Sequence, residues 1–268
     1  MRPDVISYLL IILTFLVSYR GFKDHFFFEK YEFNVDKVKL HRDYKRLITS
    51  GFLHVNWMHL IFNMLGLFFF AGSLGWVDLL LIYFISMAGG DLLSLIVYRN
   101  QGDYSSVGAS GAVNGIIFAT IALDPGIRIM FMPGWLFGLV YIGFTIYGVR
   151  SKRDNIGHEA HLGGAIIGML LAIALHPIAL MENYITILII AIPTIVFIYL
   201  IITRPHILLV DNLFFKTHTD HYSIDHKYNE NKYNQQQEID RILDKISKRG
   251  INSLSQKEKQ MLKDYSKK

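Results

Sequence analysis

Three short stretches of the chain hold residues whose types and spacing suit acyl transfer. "VGASGAVNG" carries Ser110 between glycines, with Asn114 four residues on; "GHEAHLGG" carries His158, Glu159 and His161; "HVNWMHLIFNM" carries His54, His59 and Asn63. A serine hydroxyl attacks a carbonyl readily only when a base takes its proton, and the oxyanion that forms needs donors aimed at it. His161 is the candidate base for Ser110. His59 and Asn63 lie four apart, hence on one helical face, and both can donate hydrogen bonds. If Ser110 opens a helix, its own amide and that of Gly111 lack intrahelical partners and carry partial positive charge, which suits an oxyanion.

Something in the rest of the chain has to bring these stretches together. Of its 268 residues 52% are hydrophobic, 14% aromatic and only 18% charged, too apolar for an ordinary soluble domain. Apolar runs of about the length a membrane-spanning helix needs, roughly 20 residues, extend from about Val5 to Tyr19, Trp57 to Leu74, Trp76 to Tyr98, Gly108 to Leu123, Met132 to Val149, His158 to Ala179 and Tyr184 to Ile202. They lack strand alternation, and lipid demands an internally satisfied backbone, so helices are expected. No small-x-small cleavage site follows the first run before Tyr19-Arg20, so it reads as a retained span rather than a signal peptide.

Spans alternate in direction, so the starts of the second, fourth and sixth lie on one side of the bilayer. Those starts carry His54, His59 and Asn63; Ser105, Ser106, Ser110 and Asn114; and His158, Glu159 and His161. Ionisable groups at membrane depth are costly and default to function. Gly111 and Gly115 form a small-residue face on the fourth span, and Gly164 and Gly168 form one on the sixth. Faces of this kind let helix backbones meet closely. If these two pack together, Ser110 and His161 come within hydrogen-bond reach.

Each residue also has a plainer reading. Ser110 alone reads as a helix cap or packing residue, and His161, His59 and Asn63 as interhelical donors. The soluble nucleophile elbow G-x-S-x-G is not matched, because Ala112 stands at its last glycine. "HEAH" is not the zinc motif either, since residue 162 is leucine where the second histidine of His-Glu-x-x-His would fall a turn away. Asp91, inside the third span, reads as structural. The absence of cysteine excludes disulfides and thiolate chemistry. His218, His221 and His226 in "HTDHYSIDH" have mixed spacing in a polar stretch, which is poor metal geometry.

From about His206 the chain turns polar. Residues 1–205 read as a polytopic membrane domain, 206–236 as a polar linker and 237–268 as a short helical tail. In the tail Ile239, Ile242, Leu243 and Ile246 recur at helical spacing up to a stop at Gly250, and Ser255 with Glu258 has capping-box spacing.

Taken together, "GASG" opening one helix, "AHLGG" opening a later one and the H-x4-H-x3-N run before both resemble the rhomboid intramembrane serine proteases, over roughly residues 40–176. The resemblance implies an all-α membrane protein, a six-helix core with a seventh transmembrane helix and a short soluble C-terminal tail. It implies a dyad of Ser110 as nucleophile and His161 as base, without an aspartate. It implies oxyanion donors at His59, Asn63, Ser110 and Gly111, with His54, Arg46, Gly115, Gly164 and Gly168 as structural residues near the site. "DYKRLITSGFLH" departs from the first-loop motif at Lys45, where tryptophan is common. Asn114 stands where some members carry a tyrosine stacked on the histidine, so another group must orient His161. The implied partners are single-span membrane proteins and the lipid bilayer, entering past spans two and five, with no cofactor, metal or nucleic acid. The tail is left for a protein partner or the membrane surface.

Orientation is contested by the sequence itself. Lysines and arginines crowd the side of the candidate site, which the positive-inside rule would put in the cytoplasm. Resemblance to the bacterial members points instead to a bacterial cytoplasmic (inner) membrane, with the site facing outward. Two other classes compete with the protease: a catalytically inactive rhomboid-like protein that binds membrane clients, and a histidine-lined transporter, for which no paired broken helices are found.

Overall fold

The computed structural model describes residues 5–151, 157–203, 239, 241–243, 245–246 and 254–266. Contacts divide the chain into two compact units, Met1–Phe215 and Lys216–Lys268. The first is a helical membrane domain: α1 (Val5–Lys23), α2 (His25–Tyr31), α3 (Val35–Lys39), α4 (Arg46–Thr49), α5 (Trp57–Phe70), α6 (Trp76–Val97), α7 (Ser110–Leu123), α8 (Gly134–Ser151), α9 (His158–Leu175), α10 (Ile178–Glu182) and α11 (Tyr184–Thr203). Seven of these, α1, α5, α6, α7, α8, α9 and α11, lie where the apolar runs predict them.

α1, α6, α9 and α11 are long and apolar enough to span a bilayer alone. α1 shows how lipid inverts the usual pattern. Its buried stripe is Ser7, Leu10, Thr14, Ser18 and Gly21, while Leu9, Ile12, Leu13, Phe15 and Leu16 point outward. Small and polar residues face the bundle because hydrocarbon outside solvates the leucines at no cost. α5 joins the preceding turn (Arg46–Phe52) through a 99° bend.

α7 behaves differently. Its side chains from Gly111 to Ala122 are all buried, so it is a central pillar with no lipid face. Its 14 residues rise about 21 Å, short of the roughly 30 Å hydrocarbon core. One end of such a helix therefore lies below the membrane surface.

Two differences from the sequence reading have local causes. The sixth span was expected to reach Ala179, but α9 ends at Leu175, because Pro177 drives the residue before it out of helical geometry. The fourth span was expected from Gly108. Instead Ser105–Ser106 form a two-residue strand, β2, paired antiparallel with β1 (Phe33–Asn34), and the helix opens at Ser110 itself. This pairing ties the segment before Ser110 to the first loop.

The second unit holds helical residues at 239, 241–243 and 245–246 and a helix α12 (Gln256–Ser266). The capping box forms as predicted, with the Glu258 amide donating to Ser255 Oγ (3.3 Å) and the Ser255 amide donating to Glu258 Oε2 (2.7 Å). The hydrogen bond from Lys245, 2.8 Å away, and then the bonds with Ser255 hold the Glu258 carboxyl down at about 2. Ile239 and Ile242 are buried and Leu243 is half exposed, so the expected apolar face is only partly covered. Gly250, the linker and its histidines 218, 221 and 226 lie outside the described residues.

Candidate active site

The α7–α9 crossing is made of backbone. A methyl group added at Gly164 would collide with the Gly111 carbonyl, and one added at Gly168 with that of Gly115. The two predicted glycine faces therefore do pack on each other. α6 joins the crossing through glycines that the sequence reading passed over. A Cβ at Gly90 would stand 2.6 Å from the Ala160 carbonyl, and one at Gly163 3.1 Å from Gly90 Cα. Gly111 also lies beside the Ala160 carbonyl. Ser110 and His161, each one residue from that contact, thus occupy facing turns. Both are partly exposed. The hydroxyl and imidazole are not hydrogen-bonded to each other among the described residues, an openness common in substrate-free sites.

His161 is oriented by a residue the sequence reading did not single out. Tyr141 Oη on α8 lies 3.2 Å from His161 Nδ1. If Nδ1 carries the ring's proton and donates it to Tyr141, the Nε2 lone pair is left free to act as base. Tyr141 is thus the other group that Asn114 made necessary; Asn114 itself donates to the Ser110 carbonyl (2.8 Å).

On the other flank, the turn before α7 is held amide by amide. The Gly108 amide donates to the Ser50 carbonyl (3.1 Å), and the Ala109 amide to His54 Nε2 (3.3 Å). Gly108 has φ +129°, and a Cβ there would stand 2.6 Å from His59 Cε1, so only glycine serves. The next two amides, of Ser110 and Gly111, have no hydrogen-bond partner among the described residues. They open the helix and point their partial charge outward. Facing this turn, α5 carries His59 and Asn63. Asn56 caps α5 by accepting from the His59 amide (2.8 Å), and Asn63 Nδ2 donates to the His59 carbonyl (2.9 Å). Asn63 keeps a second N–H, and His59 Nδ1 is buried without a partner among the described residues. The His54 and His59 rings meet edge to face at 4.8 Å.

Arg46 is buried beneath the first loop. It donates to the carbonyls of Glu29 (2.9 Å) and Glu32 (2.6 Å) at the end of α2 and to Asp43 Oδ2 (2.9 Å). Burial pushes the Asp43 carboxyl up, but hydrogen bonds and charge from Arg46 and Lys45 hold it below its ordinary value. Lys45, the departure from the family motif, is thus engaged in an ion pair (3.3 Å). Ser50 Oγ bridges the Arg46 carbonyl (2.6 Å) and Asp91 Oδ2 (2.7 Å), which gives Asp91 a structural partner. Among the described residues no cluster of histidine and carboxylate groups is arranged to hold a metal.

Residues 41–178 match the family model described as the Rhomboid domain, just over half of the chain. The chain belongs to the rhomboid family. This rhomboid is 30% identical over 190 residues to RHOMBOID-like protein 12, mitochondrial, of Arabidopsis thaliana, covering 62% of this chain and 56% of that protein. It is 34% identical over 169 residues to Rhomboid protease AarA of Providencia stuartii, covering 53% and 59%. With Rhomboid protease GluP of Bacillus subtilis (strain 168) it shares 31% over 134 residues, covering 48% and 26%. The chain thus spans from about a quarter to three-fifths of the length of these relatives. Residues 222–268 match a separate model, described as a family of unknown function (DUF6576). The rhomboid match coincides with the resemblance read from the motifs, and it makes this an integral, multi-pass, all-α membrane protein.

Proposed function

We propose that this rhomboid is an intramembrane serine endopeptidase that cleaves a peptide bond within or beside a transmembrane segment of a membrane protein. The observation that carries the reading is the α7–α9 glycine crossing. It sets Ser110 opposite His161 while leaving the Ser110 and Gly111 amides open. In the first step His161 Nε2 takes the Ser110 proton as Oγ bonds to the scissile carbonyl carbon. His161 Nδ1–H, donating to Tyr141, supports the imidazolium that results. The negative charge on the former carbonyl oxygen is met by the amides of Ser110 and Gly111 and by His59 and Asn63, each such donor contributing on the order of 10²–10³ in rate. The C–N bond then breaks, and His161 returns the proton to the leaving nitrogen. Water attacks the acyl-enzyme, giving its proton to His161, and the release of the acid restores the Ser110 hydroxyl.

The short α7 supports peptide hydrolysis at membrane depth, since a helix of this length cannot reach both surfaces and Ser110 at its start stays partly exposed. The substrates are single-span proteins whose helices unwind readily near small residues. The membrane is a bacterial cytoplasmic membrane, with the site facing outward. Several charges that argue for the opposite orientation have protein partners: Arg46 and Lys45 as above, Lys39 on the Arg99 carbonyl (2.8 Å), and Lys23 over the Tyr19 ring. Because the chain has no cysteine, single cysteines placed at positions 44 and 130 would report the orientation by labelling from one side of sealed vesicles. Residues 1–205 form the membrane domain, and the tail, beyond the polar linker, binds a protein or the membrane surface.

Labelling with a serine-reactive fluorophosphonate tests the chemistry. Wild type is expected to react, and Ser110→Ala and His161→Ala to be silent. Equal labelling of all three, or none under conditions where AarA reacts, would instead support an inactive client-binding rhomboid.

A further inference from the structure

α1 lies outside the residues that match the rhomboid domain, yet it reaches the turn that presents the nucleophile. Ser18 Oγ, fully buried on α1, stands 2.8 Å from His54 Nδ1 and 2.8 Å from the Phe52 carbonyl. His54, also fully buried, has its other nitrogen 3.3 Å from the Ala109 amide. The protons in this chain can be assigned without choice. An amide only donates, so His54 Nε2 must be the acceptor and bear no proton. The neutral ring then carries its proton on Nδ1 and donates it to Ser18 Oγ. Ser18 has one proton of its own, and the Phe52 carbonyl accepts it. Every group is satisfied once, in one direction.

Any other arrangement loses a bond. With the proton on Nε2, two donors would face each other between the ring and Ala109. A doubly protonated ring would create the same conflict. Without the Ser18 hydroxyl, a buried Nδ1–H would have no acceptor, and the ring would gain by turning away from Ala109. Ala109 immediately precedes Ser110, so the direction of this chain is felt at the nucleophile.

We propose that Ser18 is a positioning residue for the hydrolytic site: by fixing the tautomer of His54 it holds the Ala109 amide, and so the angle at which Ser110 and the open amides behind it face a substrate. This rests on the protease reading above. Its function is directional, because an alanine in the same place would fill nearly the same space yet accept nothing from His54 Nδ1 and donate nothing to the Phe52 carbonyl. The stripe of Ser7, Thr14 and Ser18 along one face of α1 is the sequence signal for it.

Two measurements on the full chain in lipid vesicles test the proposal, and the first does not depend on activity. In protein labelled with ¹⁵N-histidine, His54, assigned by loss of its signals in His54→Gln, is expected to show a protonated Nδ1 and an unprotonated Nε2. In Ser18→Ala this single tautomer is expected to give way to a mixture. The opposite tautomer in wild type, or no change in Ser18→Ala, overturns the proposal whatever the protein's activity.

The second is the rate of Ser110 acylation by the fluorophosphonate. Ser18→Ala is expected to slow it on the order of ten- to a hundredfold, the effect of small misplacement of a reacting group. Ser18→Thr, which restores the hydroxyl, is expected to recover most of the loss. If Ser18→Ala reacts like wild type, or if alanine and threonine are equally slow with equally lowered thermal midpoints, Ser18 only packs and the proposal fails. A wild type that never labels refutes the protease reading, and is told apart from failure of the Ser18 assignment by the tautomer measurement.

Discussion

Ser110 sits between two neighbourhoods built on different principles. Toward α9 and α6, the contact is backbone against backbone, with glycines at 90, 164 and 168 where a side chain would intrude. Toward α5, α1 and the first loop, it is a set of hydrogen bonds from side chains, each using one donor and one acceptor. Close packing fixes distance and tolerates no added atom. Hydrogen bonds fix direction and tolerate small shifts, but fail when a partner is lost. The proposed hydrolysis needs both, since a base must be near Ser110 and oxyanion donors must be aimed.

The contrast can be tested from its strongest point. Gly164→Val pushes a branched side chain into the Gly111 carbonyl, and is expected to abolish both folding, read as loss of a monodisperse peak in gel filtration, and labelling of Ser110. The gentler Gly164→Ala is expected to be destabilising by about 1–3 kcal/mol from overpacking, against which the better helix propensity of alanine returns about 1 kcal/mol. An alanine variant as stable and as reactive as wild type would remove the distance argument altogether.

On the directional flank, Asn63→Ala is expected to leave folding intact and lower kcat on the order of a hundredfold, as for loss of one oxyanion donor. A fall in thermal stability with unchanged kcat would make Asn63 a packing residue. Tyr141→Phe removes the oxygen beside His161 and keeps the ring stacked against Phe137. Its expected effect is a drop in kcat of about tenfold with KM unchanged, and an unchanged kcat would leave His161 to be oriented by packing alone.

The smallest effect is expected at Gly111. A Cβ there meets nothing nearer than 3.6 Å, so Gly111→Ala should fold and label nearly as wild type. That asymmetry sharpens the comparison: of the paired glycine faces, α9 supplies the strict one. Equal damage from Gly111→Ala and Gly164→Ala would show that the crossing is symmetric.

The seven spans and the convergence of their polar starts were legible because hydropathy and alternating direction are properties of the sequence itself. The glycine spacing at 111, 115, 164 and 168 was legible for the same reason. Tyr141 was not, because in "LFGLVYIGFTIYG" it looks like any other aromatic residue of a lipid-facing run, and only the helix's rotation shows that it turns inward. Ser18 was missed because α1 carries no motif and lies outside the family resemblance. Its buried stripe could have been noticed as three hydroxyls on one face of an otherwise apolar helix. The end of α9 was a misjudged signal rather than a hidden one, since Pro177 was in view. Gly90 was not legible as a contact because it stands beside Asp91 in "MAGGDLLSL" without a second glycine four residues away, the spacing that marks the other packing faces.

With no face of its own toward lipid, α7 depends on helices that are synthesised after it. A ribosome delivers the chain from its N-terminus, so the helix that carries Ser110 enters the membrane two helices before the one that carries His161. Until α9 arrives, the glycines of α7 have nothing to lie against, and the hydroxyl has no histidine opposite it. The order of synthesis therefore keeps the two halves of the proposed dyad apart until the bundle closes. Ser110 and His161 can face each other only when the last wall of the pillar is in place.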